Sequence, residues 1–353
     1  MKYVELSPLP NDGYFVASNF YGILEGKILI GGGSGFIKPL AEGGPKLLSN
    51  SIRLITESNT NWEIHDQTSV EHHNEKYGFS NGASIVGNKA IYFVGGIKNS
   101  GDKIIDSSDI IKVWIHDSKI KYKIYENVLP FQGETSGIKI SFNKAFISNK
   151  NNAYLMKIEK DDNGKEIFNI TKIATPNTLI NGSLFASDGK KVYIMGGYKS
   201  FQKDDNNSNK FLVNNFSVWD DAKIENEKLV NFKDDPCTFL GSSALLQNEN
   251  HVLIVGGVNE QMFTDAIKNL STLTGEKLDS YKKTYFNKSV EEFNFNNKLI
   301  SLNLMTSKLS ILGEFKNGFA GNPTFMKIND HYYILTAEIK AGVRLGKPIK
   351  IEI

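Results

Sequence analysis

Short apolar runs that stop abruptly on glycine recur along the chain. They are Ile28-Leu29-Ile30-Gly31-Gly32-Gly33, Ile91-Tyr92-Phe93-Val94-Gly95-Gly96, Val192-Tyr193-Ile194-Met195-Gly196-Gly197 and Val252-Leu253-Ile254-Val255-Gly256-Gly257. A β-branched and aromatic run bounded by glycine predicts a buried strand. The glycine pair predicts positive φ or close backbone approach where the strand ends. Small-residue runs precede three of the copies: Gly82-Ala83-Ser84-Ile85-Val86, Gly182-Ser183-Leu184-Phe185 and Gly241-Ser242-Ser243-Ala244-Leu245-Leu246. Small side chains suit strands crowded near a common axis. Alternating runs follow, such as Ser51-Ile52-Arg53-Leu54-Ile55 and Asn61-Trp62-Glu63-Ile64 after the first copy, or Ile110-Ile111-Lys112-Val113-Trp114 and Tyr122-Lys123-Ile124-Tyr125 after the second. Each unit therefore predicts a four-stranded antiparallel sheet, the unit of a β-propeller.

Two further units lack the glycine pair, one around Lys144-Ala145-Phe146-Ile147-Ser148 and one around His331-Tyr332-Tyr333-Ile334-Leu335. Six units in 353 residues leave about 59 residues each, slightly above the roughly 50 of a kelch repeat. The last unit supplies three strands, ending with Ile349-Lys350-Ile351-Glu352-Ile353, and Lys2-Tyr3-Val4-Glu5-Leu6 has no unit of its own. The N-terminal strand is therefore expected to complete the last sheet, which removes open edges. The expected fold is all-β: a six-bladed kelch-type β-propeller, one domain over residues 1–353, with its last blade closed by the N-terminal strand. A helical insertion over 264–296 breaks the rhythm. Ala266, Ile267, Leu270 and Leu273 are spaced for one short helix, and Leu278, Tyr281 and Tyr285 for another. It is either a surface decoration or a cap over one face of the ring. The Asp- and Asn-rich stretch Lys203 to Lys210 reads as a solvated loop.

Charge narrows the function classes. With 41 basic and 39 acidic residues the net charge is +2, which argues against nucleic-acid or membrane partners bound through bulk electrostatics. Cys237 is the single cysteine, so an intrachain disulfide and a cysteine metal cluster are excluded; beside Pro236 it reads as a small buried apolar residue. No run is long enough to be a membrane-spanning helix, and Met1-Lys2-Tyr3-Val4-Glu5-Leu6 lacks the apolar core of a signal peptide. A cytoplasmic location is expected, or a periplasmic one if a leader has been removed. Trp62 and Trp114 are expected to pack between sheets. His72 and His73 are adjacent, and on a strand adjacent side chains point to opposite faces. Joint metal ligation is thus not expected there, and no metal or cofactor is expected elsewhere.

The segment with most chemistry is Thr336-Ala337-Glu338-Ile339-Lys340-Ala341-Gly342-Val343-Arg344, which stands where four other units carry glycine pairs. A carboxyl at the end of an inner strand and an arginine after the turn can both face the axis. Partly removed from water, the carboxyl suits proton transfer near neutrality, and the guanidinium offers a planar fork for a substrate carboxylate. A plain ion pair across a turn is the alternative.

Glu338-Ile339-Lys340-Ala341-Gly342-Val343-Arg344 resembles the Glu-x-Lys-x-Gly-x-Arg segment of the bacterial sialic acid mutarotases, or N-acetylneuraminate epimerases, which are six-bladed kelch propellers. Gly31-Gly32-Gly33-Ser34-Gly35-Phe36 resembles that family's glycine-rich loop, and Tyr77-Gly78-Phe79-Ser80 the start of an inner strand. Gly256-Gly257-Val258-Asn259-Glu260-Gln261-Met262-Phe263 and Phe295-Asn296-Asn297-Lys298-Leu299 resemble the two ends of its helical insertion. The order is rotated, since the segments that begin the usual members lie near Pro130-Phe131, so the chain resembles a cyclically permuted branch. The resemblance implies interconversion of the α and β anomers of N-acetylneuraminate without cofactor, with Glu338 and Arg344 as the active pair. It also implies pocket roles for Lys76, Tyr77, Asn181 and Asn259. Ala341 stands where proline is usual, Lys76 where arginine is, and an arginine between blades is missing around Pro176-Asn177-Thr178. A non-catalytic kelch interaction module, or an isomerase of another acidic sugar, are the alternatives.

Overall fold

A computed structural model describes residues 1–175, 181–198, 215–220, 223–229 and 237–353; the expectations for Pro176–Thr178 and for Lys203–Lys210 lie outside them. The described chain contains six four-stranded antiparallel sheets. In chain order their first strands are Phe20–Leu24, Ala83–Val86, Ser136–Ser141, Leu184–Ser187, Ser243–Asn248 and Phe325–Ile328. The sixth sheet runs Phe325–Ile328, His331–Ile334, Ile349–Glu352 and then Lys2–Glu5. The N-terminal strand pairs antiparallel with the C-terminal one, Lys2 opposite Glu352 and Glu5 opposite Ile349.

The second strands explain how the sheets meet. Their side chains alternate between two faces, and both faces are apolar. In the second sheet Ile91 and Phe93 pack toward the first sheet with Phe20, Leu29, Ile52 and Leu54. Ala90, Tyr92 and Val94 pack the other way, with Ala145, Ile147 and Met156 of the third. Similar cores join the third sheet to the fourth, the fourth to the fifth and the fifth to the sixth. A sixth core joins Met326, Tyr333 and Leu335 of the last sheet to Ile28, Ile30 and Ile55 of the first. Trp62 packs at the edge of that last core, its Nε1 donating to the carbonyl of Ser7 at 2.8 Å, and Trp114 packs against the core of the second and third sheets.

Each glycine pair turns the chain with two left-handed residues, for example φ +69° at Gly95 and +82° at Gly96. Thr336 and Ala337 take the place of that pair in the sixth sheet, and neither has positive φ. Thr336 is buried, and its hydroxyl donates to Asn19 Oδ1 at 2.5 Å, which ties the last sheet to the first.

Three helices interrupt the fifth sheet between its second and third strands: α1 (Glu260–Thr272), α2 (Gly275–Asn287) and α3 (Val290–Phe293). Asn259 caps α1, its side chain accepting from the Met262 N–H at 3.0 Å. Among the described residues no helix is long and apolar enough to cross a membrane.

Tyr77 and Asp109 show how the core tolerates charge. The Asp109 carboxylate is buried and receives Lys98 Nζ at 2.5 Å, the Tyr77 hydroxyl at 2.5 Å and the Asn127 N–H at 2.9 Å. Burial alone would raise its pKa, but these donors outweigh burial and hold it below the ordinary carboxylate value. Asp109→Asn is expected to cost about 3 kcal/mol, because it strands a half-buried ammonium; a shift in the denaturant midpoint measures it. A depressed folded-state pKa adds stability above the unfolded value of about 3.9, and that stability is lost as pH falls through the folded value. The deficit of the variant should therefore be constant above about pH 5 and shrink below about pH 4.

Candidate functional site

The first strands of all six sheets line one cavity of about 480 Å³. Ser18, Asn81, Glu134, Asn181 and Asn322 are among the residues around it, all in the turns that lead into those strands. Several of these turns are left-handed, at Ser18, Asn81, Gly182, Gly241 and Asn322. Backbone bonds link successive turns, from Asn81 N–H to the Ser18 carbonyl, from Thr135 to Asn81 and from Asn322 to Gly241.

Glu338 and Arg344 lie opposite each other in a two-stranded hairpin, Glu338–Lys340 with Val343–Arg344. Glu338 also exchanges two backbone bonds with Ala320, at 2.7 and 2.9 Å, two residues before the cavity-lining Asn322. Its Oε1 accepts from Arg344 Nη1 at 2.6 Å and from the Gly342 N–H at 2.6 Å. Its Oε2 has no hydrogen-bond partner among the described residues and lies beside Gly321. A Cβ at Gly321 would stand 3.2 Å from that oxygen and 3.0 Å from Glu338 Cβ. One carboxylate oxygen is thus fixed and the other left unbonded.

Arg344 is committed in a way the sequence does not reveal. Its side chain is only 9% exposed, its Nε donates to the Ser34 carbonyl at 3.0 Å, and its guanidinium stacks 5.2 Å over the ring of Phe36. These contacts place Ser34 and Phe36, from the first glycine-rich segment, directly beneath the ion pair. Nη1 holds Glu338 and Nε holds the Ser34 loop, so part of the fork expected to meet a substrate carboxylate is engaged within the protein.

Lys46 is the cation that the sequence reading missed. It is partly buried, and burial pushes its pKa below the ordinary lysine value. The charges of Glu134 and Glu338 act against that shift, while Arg344 acts with it. Lys46 therefore lies within electrostatic reach of both the cavity wall and the Glu338–Arg344 pair. Its only signal in sequence is a lysine closing Glu42-Gly43-Gly44-Pro45. Glu134 was also missed; Asn81 Nδ2 donates to its Oε1 at 2.5 Å.

The helical insertion reaches the same hairpin. Lys340 Nζ donates to the carbonyls of Phe286 and Lys288 at 3.1 and 2.5 Å, at the C-terminal end of α2, where a cation also complements the helix dipole. Tyr285 of α2 is raised in pKa by burial and by the charges of Tyr281 and Glu338, so its phenol stays protonated beside the carboxylate.

The remaining expected pocket residues separate. Asn181 lines the cavity and donates through Nδ2 to the Tyr198 hydroxyl. Tyr77 does not reach it, because its ring is part of the core between the first two sheets and its hydroxyl is taken by Asp109. Lys76 lies exposed on a separate hairpin, and the Asn259 side chain is used as a helix cap. The expected divergence of His72 and His73 also fails. His73 and Asn74 form a left-handed turn, with φ +51° and +65°, and the two imidazole centroids lie 3.9 Å apart. Strand alternation does not govern a residue that has left the strand.

The chain matches the family model described as N-acetylneuraminate epimerase over residues 145–352. It is 26% identical over 163 residues to the N-acetylneuraminate epimerase of Salmonella typhi, covering 46% of this chain and 40% of that one. Against N-acetylneuraminate epimerase 1 of Escherichia coli it is 26% identical over 178 residues, covering 49% of this chain and 46% of that protein. The chain thus spans less than half the length of the curated relatives it matches. The solved structure of YjhT superposes with a TM-score of 0.51 at 19% identity, covering 62% of each chain, which gives the chain a propeller-type fold.

Gly321→Ala should introduce both a left-handed alanine (φ +68° at present) and a methyl group against Glu338. A loss of about 1–3 kcal/mol in chemical denaturation is expected, with the carboxylate displaced. A variant as stable as the parent would show that the close approach is relaxed in solution.

Proposed function

The chain belongs to the N-acetylneuraminate epimerase family, and on that premise we propose that it is a mutarotase interconverting the α and β anomers of N-acetylneuraminate. We further propose that the six sheets are the blades of one kelch-type propeller domain, closed by the N-terminal strand, and that the chain is a cyclic permutant. The observation that carries the catalytic proposal is Glu338 itself. One of its oxygens is held by Arg344 and Gly342, while the other lies beside Gly321, next to the cavity-lining Asn322.

The reaction needs little more. A base takes the proton of the anomeric hydroxyl, the bond between the anomeric carbon and the ring oxygen breaks, and the ring oxygen gains a proton. The open-chain ketone rotates and recloses on its other face, the proton transfers running in reverse. Glu338 Oε2 accepts and returns the proton, directly or through water. Arg344 is a positioning residue that fixes Oε1 and so aims Oε2. Lys46 is the group we assign to the sugar's carboxylate, since among the described residues it is a cation near the pair that is bonded neither to Glu338 nor, as Lys340 is, to the helical insertion. A different acidic sugar would satisfy the same two groups, so specificity for N-acetylneuraminate is tested and not assumed.

Glu338→Gln should lower the rate of anomer exchange, read by NMR, by about 10²–10⁴-fold with an unchanged circular dichroism spectrum. Exchange at the parent's rate would refute the assignment. Lys46→Gln should raise KM by about 10–100-fold with kcat little changed, because a charge-assisted contact is worth roughly 1.5–3 kcal/mol. Comparing N-acetylneuraminate with glucose and galactose separates the proposed activity from general sugar mutarotation, and no acceleration of any of them would favour a non-catalytic module.

A further inference from the structure

We infer that His72, His73 and Glu126 form a binding site for a divalent transition-metal ion of the zinc type, at the outer edge between the first and second sheets. The first two residues belong to a hairpin, Glu71–His72 paired with Glu75–Lys76, that carries the chain from one sheet to the next. Glu126 follows Lys119–Tyr125, the outermost strand of the second sheet. One donor atom from each residue can be chosen so that all lie within 4.8 Å of one another.

The geometry of His72 makes this more than a crowd of polar groups. Its Nε2 is buried and makes no hydrogen bond among the described residues, although Glu126 Oε2 lies 3.1 Å away. A buried polar atom without a hydrogen bond costs free energy, and a neutral imidazole nitrogen facing a carboxylate oxygen has only lone pairs to offer. A cation between them removes that cost. Donors at zinc bond lengths of about 2.0–2.2 Å in tetrahedral arrangement lie roughly 3.3 Å apart, close to the separation found. Two imidazoles and a carboxylate are a donor set for zinc and its neighbours, not for calcium or magnesium. His73 and Glu126 are exposed, so water can complete the coordination.

Both sides of the site are held in place without a metal. The Tyr122 hydroxyl accepts from the Glu71 N–H at 3.1 Å, which fixes the hairpin to the outer strand. Beyond Glu126, the Asn127 N–H donates to Asp109 at 2.9 Å and the Val128 N–H to the Ser108 carbonyl at 3.0 Å. Preorganised donors lose little entropy on binding. A bound ion would staple the linking hairpin to the second sheet, at residues that do not line the cavity, without a part in anomer exchange.

The test is isothermal titration of chelator-stripped protein with zinc chloride, and with cobalt(II) to read the d–d absorption of a tetrahedral ion. One ion per chain is expected, with a rise in the melting midpoint. His72→Asn, His73→Asn and Glu126→Gln should each weaken binding by at least about tenfold and abolish most of that rise. His116→Asn, whose exposed ring faces only Asp117, should bind as the parent does. Should His72→Asn fail to fold, the exposed His73 and Glu126 variants decide. Absence of saturable one-to-one binding, or affinity unchanged in the variants, overturns the proposal.

Discussion

Among the described residues, the sheets carry apolar side chains on both faces, and each face must be covered. That constraint comes from the second strands, where adjacent residues such as Tyr92 and Phe93 are both almost fully buried but in opposite directions. A sheet of this kind is unstable alone or at the end of a stack, because one face would remain in water. Among the described residues, apolar cores lie between neighbouring sheets, and one of them joins residues of the last sheet to residues of the first. The pairing of Lys2–Glu5 with Ile349–Glu352 completes the sheet at the junction of the two ends.

The consequence for function is a fixed centre. Strands packed from both sides have little freedom, so the turns leading into them stand as a rigid rim around the cavity. Where most sheets turn away on a glycine pair, the sixth continues through Thr336 and Ala337 and delivers Glu338 beside that rim. Thr336 is bonded to Asn19 of the first sheet, Glu338 to Ala320, and Arg344 to Ser34. The carboxylate is therefore positioned by the contact between the first and last sheets, the junction that also carries the termini.

The insertion contributes to the same place. Lys340 fastens the end of α2 to the hairpin, and Tyr285 brings a protonated phenol near Glu338. These contacts join the insertion to the hairpin, and among the described residues around the cavity none is from the insertion.

Periodicity alone determined the all-β class, the recurring strands, the glycine turns and the two main helices, because strand alternation, turn chirality and helical spacing are local properties of the backbone. Glu338 and Arg344 were also legible, since their separation across a short turn is local. What the tertiary structure decided was which partners each side chain meets. It committed Arg344 to Ser34 and Glu338, drew Tyr77 into the core with Asp109, used Asn259 as a helix cap, set Glu134 at the rim and brought Lys46 within electrostatic reach of it. It also set His72 against Glu126, more than fifty residues away. Such contacts depend on how distant sheets pack, and no spacing along one chain encodes the distance between two strands that meet only when the sheets assemble.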